Sequence, residues 1–210
     1  MPFNPAFPYP LYLVISEKDC APRPWLWVAE QAIRGGVDII QLREKDASTP
    51  TLLEKARRLK LLTDRYTIPL LINDRADIAT QVSAWGVHVG QQDMQPLDIQ
   101  RQYADQLHIG WSLENLRQLD SPQMQAVHHL GVSPIFATAT KTNTITEWGY
   151  AGLSSIYHAT DKPLIGIGNM NKKTAQAAYQ AGACSVAVVS AICSAKDPQR
   201  TARFLKQQLT

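Results

Sequence analysis

Eight short apolar runs recur along the chain, and most are followed by a stretch with helical patterning. They are LYLVIS (11–16), VDIIQLR (37–43), PLLIND (69–74), GVHVGQ (86–91), LHIGWS (107–112), VHHLGVS (127–133), PLIGIG (163–168) and SVAVVS (185–190). The most apolar of them run nearly unbroken, as strands do when covered on both faces. Alternating βα units of this kind predict an α/β fold with a parallel sheet and an outer layer of helices. Eight units in 210 residues match a single (β/α)₈ TIM barrel. An open doubly wound sheet is the alternative and would need helices on both faces.

The helix signals agree. Thr49-Pro50 ahead of TLLEKARRLKLL supplies a cap and a proline in the first turn, and Asp197-Pro198 repeats that opening before the last helix. Asn171 is expected to cap KKTAQAAYQ, which ends at Ala181-Gly182, a candidate left-handed C-cap. No linker or shift of composition divides the chain. It reads as a proline-rich N-terminal extension over 1–10 and one barrel domain over 11–210.

With 45% hydrophobic residues and a net charge of only +3, the chain can bury a sizeable core and has too little positive charge for a nucleic-acid surface. Small phosphorylated ligands suit a local cluster of cations better. Three cysteines without CxxC spacing point to a reducing, cytoplasmic setting. The opening MPFNPAFPYP has neither the basic start nor the apolar stretch of a signal peptide, and nothing later is long enough for a membrane span. Whether the chain forms a homo-oligomer is left open.

In a barrel of this kind, active sites form where the strands' C-terminal ends meet the following loops. Polar residues collect at those ends: Gln41, Arg43 and Lys45; Asn73 and Asp74; Gln91 and Asp93; Ser112; Thr138, Thr140 and Lys141; Gly168; Ser190. Each has an ordinary explanation alone. QLREK alternates, so Arg43 and Lys45 would share one face and could simply point into water. Asp74 could cap the next helix, and Asp93 could be a loop acid.

Together they are harder to dismiss, because two carboxylates on neighbouring strand ends repel unless a cation lies between them. Mg²⁺ fits such a gap, since it takes one or two carboxylates and completes its shell with water and phosphate oxygens. Asp74 and Asp93 are then the metal ligands, and Arg43, Lys45 and Lys141 would meet a diphosphate. A second anion site is expected across the mouth, at GIGNM (166–170) and AVVSA (187–191), where backbone amides and a short helix can hold a phosphate. Gly166 reads as a tight-packing glycine and Gly168 as one that admits a ligand. His88 reads as a hydrogen-bonded core or rim histidine.

The order and spacing of QLREK, INDRADIA, GVHVGQQDM, GVSPIF followed by TATK, and GACSVAVVSAI resemble the thiamine-phosphate synthase family from Leu11 to Ile192. The resemblance implies a transferase joining the diphosphate of 4-amino-5-hydroxymethyl-2-methylpyrimidine to a hydroxyethylthiazole phosphate, or its carboxylated form. Pyrophosphate leaves and thiamine monophosphate forms, by a dissociative route through a pyrimidine cation with Mg²⁺ as cofactor. It assigns Gln41, Arg43, Lys45, Asn73, Ser112 and Lys141 to the pyrimidine diphosphate, with Arg43, Lys45, Ser112 and Lys141 catalytic. Asp74 and Asp93 go to the metal, and Thr138, Thr140, Gly168, Val189 and Ser190 to the thiazole phosphate.

Some positions depart from the family pattern. Trp111 stands where a small residue is usual, which predicts an altered pocket wall beside strand five. Leu113-Glu114 replace a Thr-His pair, ATATK lacks the usual prolines, and Asn169 replaces a glycine. The polar stretch 137–149 is a candidate lid. Two rivals remain: a thiazole tautomerase on the same barrel, which would not need the diphosphate-binding cations, and a silent sensor of phosphorylated ligands.

Overall fold

The computed structural model describes residues 4–138 and 146–209. Strands and helices follow in the order β1 (Leu11–Ile15), α1 (Glu17–Cys20), α2 (Trp25–Arg34), β2 (Ile39–Leu42), α3 (Thr49–Arg65), β3 (Leu70–Asn73), α4 (Ala76–Gln81), β4 (Gly86–Val89), α5 (Pro96–Tyr103) and β5 (His108–Leu113). The chain continues with β6 (His129–Val132), α6 (Gly149–Ala159), β7 (Leu164–Ile167), α7 (Ala175–Gln180), β8 (Ser185–Val188), α8 (Ser190–Cys193) and α9 (Pro198–Gln208). Each strand pairs in parallel with the next, and β8 pairs with β1 to close the barrel.

Closure explains why the strand sequences alternate so little. One set of side chains, including Leu13, Leu42, Ile72, Val89 and Trp111, faces the helical layer and forms the larger core. The other set, including Tyr12, Val14, Ile39, Leu71, Ile165 and Ala187, fills the barrel interior. Both faces are buried over most of the strands' length, so both are largely apolar.

Local signals set the helix ends. Ser48, one residue before the expected Thr49, caps α3 by accepting from the Thr51 N–H at 3.4 Å, with proline in the first turn. Asp197 caps α9 through the Arg200 N–H at 2.9 Å. Asn171 caps only a turn, accepting from the Lys173 N–H, and α7 starts later. Gly182 follows α7 at φ 118°, in the left-handed region glycine tolerates. Between β5 and β6 two 3₁₀ turns, Leu116–Asp120 and Pro122–Gln125, replace a helix. Ser121-Pro122 accounts for the break, because the residue before proline avoids helical ψ.

The barrel's lower end is sealed by the proline-rich extension. Phe7, 1% exposed, packs inside the barrel. Its ring lies 5.2 Å from Tyr9, 6.1 Å from Trp85, 5.9 Å from His108 and 4.8 Å from His129. The upper end stays open.

Candidate active site

At the upper end a cavity of about 300 Å³ descends into the barrel. Gln41, Arg43, Lys45, Asn73, Asp74, Asp93, Ser112, Thr138, Gly168, Val189 and Ser190 all line it. The structure thus brings eleven of the thirteen expected site residues into one cavity. Thr140 and Lys141 lie outside the described residues, as does most of the candidate lid.

The QLREK alternation is realised at the end of β2. Arg43 and Lys45 face the cavity, while Leu42 is buried in the outer core and Glu44 turns away to Lys55 at 3.1 Å and to the Glu17 N–H at 2.7 Å. Lower in the same strand, Gln41 donates from its amide to the Tyr12 hydroxyl at 2.7 Å. That bond fixes the side-chain amide at the cavity floor.

Asp74 does not cap α4: the residue at that position is Arg75, without a side-chain capping bond. Asp74 instead has φ 64°, a conformation uncommon for a residue with a Cβ, and its N–H donates to the His88 carbonyl at 2.8 Å. Strained backbone of this kind turns the carboxylate back over the mouth, where it accepts from Lys45 Nζ at 2.5 Å. Asp93 is held by the Gly90 N–H, which donates to it at 2.8 Å. Burial pushes the Asp74 carboxyl above its ordinary range; the hydrogen bond from Lys45 opposes this, and the facing Asp93 carboxylate pushes it up further. Two acids thus crowd one place, and among the described residues a single ammonium, that of Lys45, is in contact.

Among the described residues, no three His, Cys, Asp or Glu side chains converge into a metal cage. The donor set that is present, two carboxylates within reach of each other at the rim, suits a hard ion that completes its shell with water and substrate oxygens.

Ser112 sits at the end of β5 with its backbone carbonyl accepting from Gln91 Nε2 at 2.8 Å and Gln118 Nε2 at 3.1 Å. Its hydroxyl meets His88 Nε2 at 3.0 Å, so His88 is the hydrogen-bonded rim histidine expected. Trp111 corrects an expectation. Its side chain is 2% exposed and packs into the outer core, so it does not form the pocket wall. Strand alternation decides this: Gly110 and Ser112 face inward, so Trp111 cannot.

Across the mouth, Gly168 has φ 110°, and a Cβ there would fall 2.7 Å from Pro134 Cβ. Glycine is required twice over. Gly166 faces the helical layer, where a Cβ would find ordinary contacts of 3.5–3.8 Å, so packing is looser there than its sequence context suggested. Val189 precedes the four-residue α8, which Ser190 opens.

Sequence reasoning passed over Tyr12, Asp19 and His129, which also line the cavity. Asp19 accepts from the Ser16 hydroxyl at 2.6 Å in a capping arrangement, which hides it as a local structural residue. Tyr12 and His129 lie in apolar runs, and only the pleat shows that they point inward.

The chain matches the family model described as thiamine monophosphate synthase over residues 11–192. It is 43% identical to the thiamine-phosphate synthase of Albidiferax ferrireducens over 94% of this chain and 90% of that one. With the enzyme of the same name from Vibrio parahaemolyticus it shares 39% identity, over 94% and 96% of the two chains. The solved thiamine phosphate pyrophosphorylase from Pyrococcus furiosus superposes with a TM-score of 0.86 at 28% identity, covering 98% of both. The chain therefore belongs to the thiamine monophosphate synthase family of transferases.

Proposed function

We propose that the chain joins a pyrimidine carrying a diphosphooxymethyl group to a thiazole carrying a phosphooxyethyl group, releasing pyrophosphate and forming thiamine monophosphate. One observation carries this reading: the crowded acids Asp74 and Asp93, with Arg43 and Lys45 beside them, share a cavity with the Gly168 and Val189–Ser190 rim. One side of the mouth suits a diphosphate and the other a single phosphate.

In this reading Asp74 and Asp93 would hold Mg²⁺, which when bound supplies positive charge for a departing pyrophosphate. Arg43 and Lys45, with Lys141, take the phosphoryl oxygens by charge-assisted hydrogen bonds. Gln41, Asn73 and Ser112 orient the pyrimidine. Thr138, Thr140, Gly168, Val189 and Ser190 hold the thiazole phosphate, so its ring nitrogen faces the exocyclic methylene. The carbon–oxygen bond to the diphosphate breaks first, and the electron-rich aminopyrimidine carries the resulting cation until the thiazole nitrogen donates its electron pair. No side chain serves as nucleophile, and the chain contributes positioning and electrostatics.

The test is direct. Both substrates are mixed with the chain and Mg²⁺, and pyrophosphate and thiamine phosphate are measured with and without a chelator. Stoichiometric release that the chelator stops is expected. Ligand binding without pyrophosphate would instead identify a sensor.

A further inference from the structure

Below the mouth, three side chains form a hydrogen-bonded file. His129 Nε2 lies 3.3 Å from His88 Nδ1, and His88 Nε2 lies 3.0 Å from Ser112 Oγ. The strands leave room for it with glycine. A Cβ on Gly110 would fall 2.2 Å from His129 Nε2 and 2.5 Å from His88 Nδ1, and one on Gly131 would fall 2.8 Å from His88 Cε1.

The direction of the file follows from its lower end. His129 is fully buried, and its Nδ1 has no hydrogen-bond partner among the described residues. Burial, reinforced by the neighbouring histidines, holds this ring well below the usual histidine range, so it is neutral and carries one proton. A proton on Nδ1 would be a buried, orphaned N–H, which native structures rarely keep. A proton on Nε2, the nitrogen that neutral histidine favours intrinsically, is used in the bond to His88. His88 Nδ1 is then the acceptor, so its own proton sits on Nε2 and is donated to Ser112 Oγ. The Ser112 hydroxyl proton is left pointing into the cavity.

We propose that His129, acting through His88, is a positioning residue that makes Ser112 a hydrogen-bond donor to substrate, so that the cavity selects an acceptor atom there and disfavours an amino group. The kinetic part of this inference rests on the synthase reading above. The tautomers do not.

Two measurements test it. In the ligand-free full chain with isotope-labelled histidine, a long-range proton–nitrogen spectrum should show His88 and His129 both bare at Nδ1 and protonated at Nε2. A proton on Nδ1 of either ring overturns the proposal. In the pyrophosphate assay, Ser112→Ala and His129→Phe should each lower kcat/KM about tenfold, and the double variant by the same factor, because both remove one hydrogen bond. A product of roughly a hundredfold, with folding confirmed by thermal melting, overturns it. His129→Gln, which can still donate to His88, should recover activity to within about threefold of the unaltered chain; if His129→Phe fails to fold, the spectrum decides. Absence of pyrophosphate from the unaltered chain would remove the synthase reading and leave the spectrum to judge the file.

Discussion

The two ends of this barrel are built by the same eight strands and have opposite characters. At the lower end Phe7, Tyr9, Trp85 and His108 stack into a plug, with Trp85 and His108 only 3.9 Å apart. At the upper end the inward positions give way to an amide, a hydroxyl, acids and cations around open space. The lower end is closed by ring packing. The upper end leaves Asp74 strained, partly buried and pressed against a second acid, an arrangement that costs free energy. The difference separates stability from function along one axis.

The largest expected effect tests that separation from above. On the proposed synthase reading, Asp74→Ala or Asp93→Ala should lower turnover roughly 100-fold or more in the pyrophosphate assay, because each removes a carboxylate that would hold the Mg²⁺ needed to neutralise the departing pyrophosphate. Thermal melting should fall little and could even rise for either variant, since one of two repelling acids is gone. A large loss of stability with turnover intact would reverse the roles assigned to the two ends.

From below, Phe7→Ala should cost roughly 3 kcal/mol in chemical denaturation, the range for deleting a buried phenyl ring. The folded fraction should keep its kcat/KM. Acid acts on the same end. Burial pulls His108 down to about 3, with His128 adding to the effect, and His129 is depressed as well, so both rings are neutral when folded. The unfolded chain protonates them near pH 6.5, which means it binds more protons than the native state below that value. Stability from these groups is therefore present above pH 6.5 and declines as pH falls towards 3, by up to about 1.4 kcal/mol per pH unit for each ring. Denaturation midpoints across pH 7 to 4 check this, and Phe replacements at both histidines should flatten the slope.

The barrel was legible because its signal is repeated: eight apolar runs with small-residue turns survive the loss of any one cue. The acid and cation side was legible too, since QLREK and INDRAD put charges where an apolar run stops. The entry of Phe7 into the barrel floor was not, because the proline-rich segment that carries it reads locally as extended coil. The file of His129, His88 and Ser112 was also hidden, since its members come from three strands and meet only through barrel closure. Trp111 was misread for a related reason. A residue's place in a motif does not say which side of the pleat it occupies, and counting by two from Ser112 would have placed it outside.

That same count by two gives the smallest effect and the finest test, at the end of β7. Gly168 and Gly166 are two residues apart, yet only Gly168 has a positive φ and a neighbour within 3 Å of the place an added methyl would take, Pro134 Cβ at 2.7 Å. Gly168→Ala should therefore strain the mouth and cost on the order of 1–3 kcal/mol. Gly166→Ala places its methyl 3.5 Å from Ala183 Cβ, 3.7 Å from Ile135 Cγ1 and 3.8 Å from Ala178 Cβ, all ordinary contacts on the helical side. With no strain to offset it, the reduced freedom of the unfolded chain should leave this variant unchanged or more stable by up to about 1 kcal/mol, with kcat/KM unaltered. A clear loss of activity in Gly166→Ala would show that the wall behind Gly168 takes part in the site, and the separation between scaffold and mouth would have to be redrawn at β7.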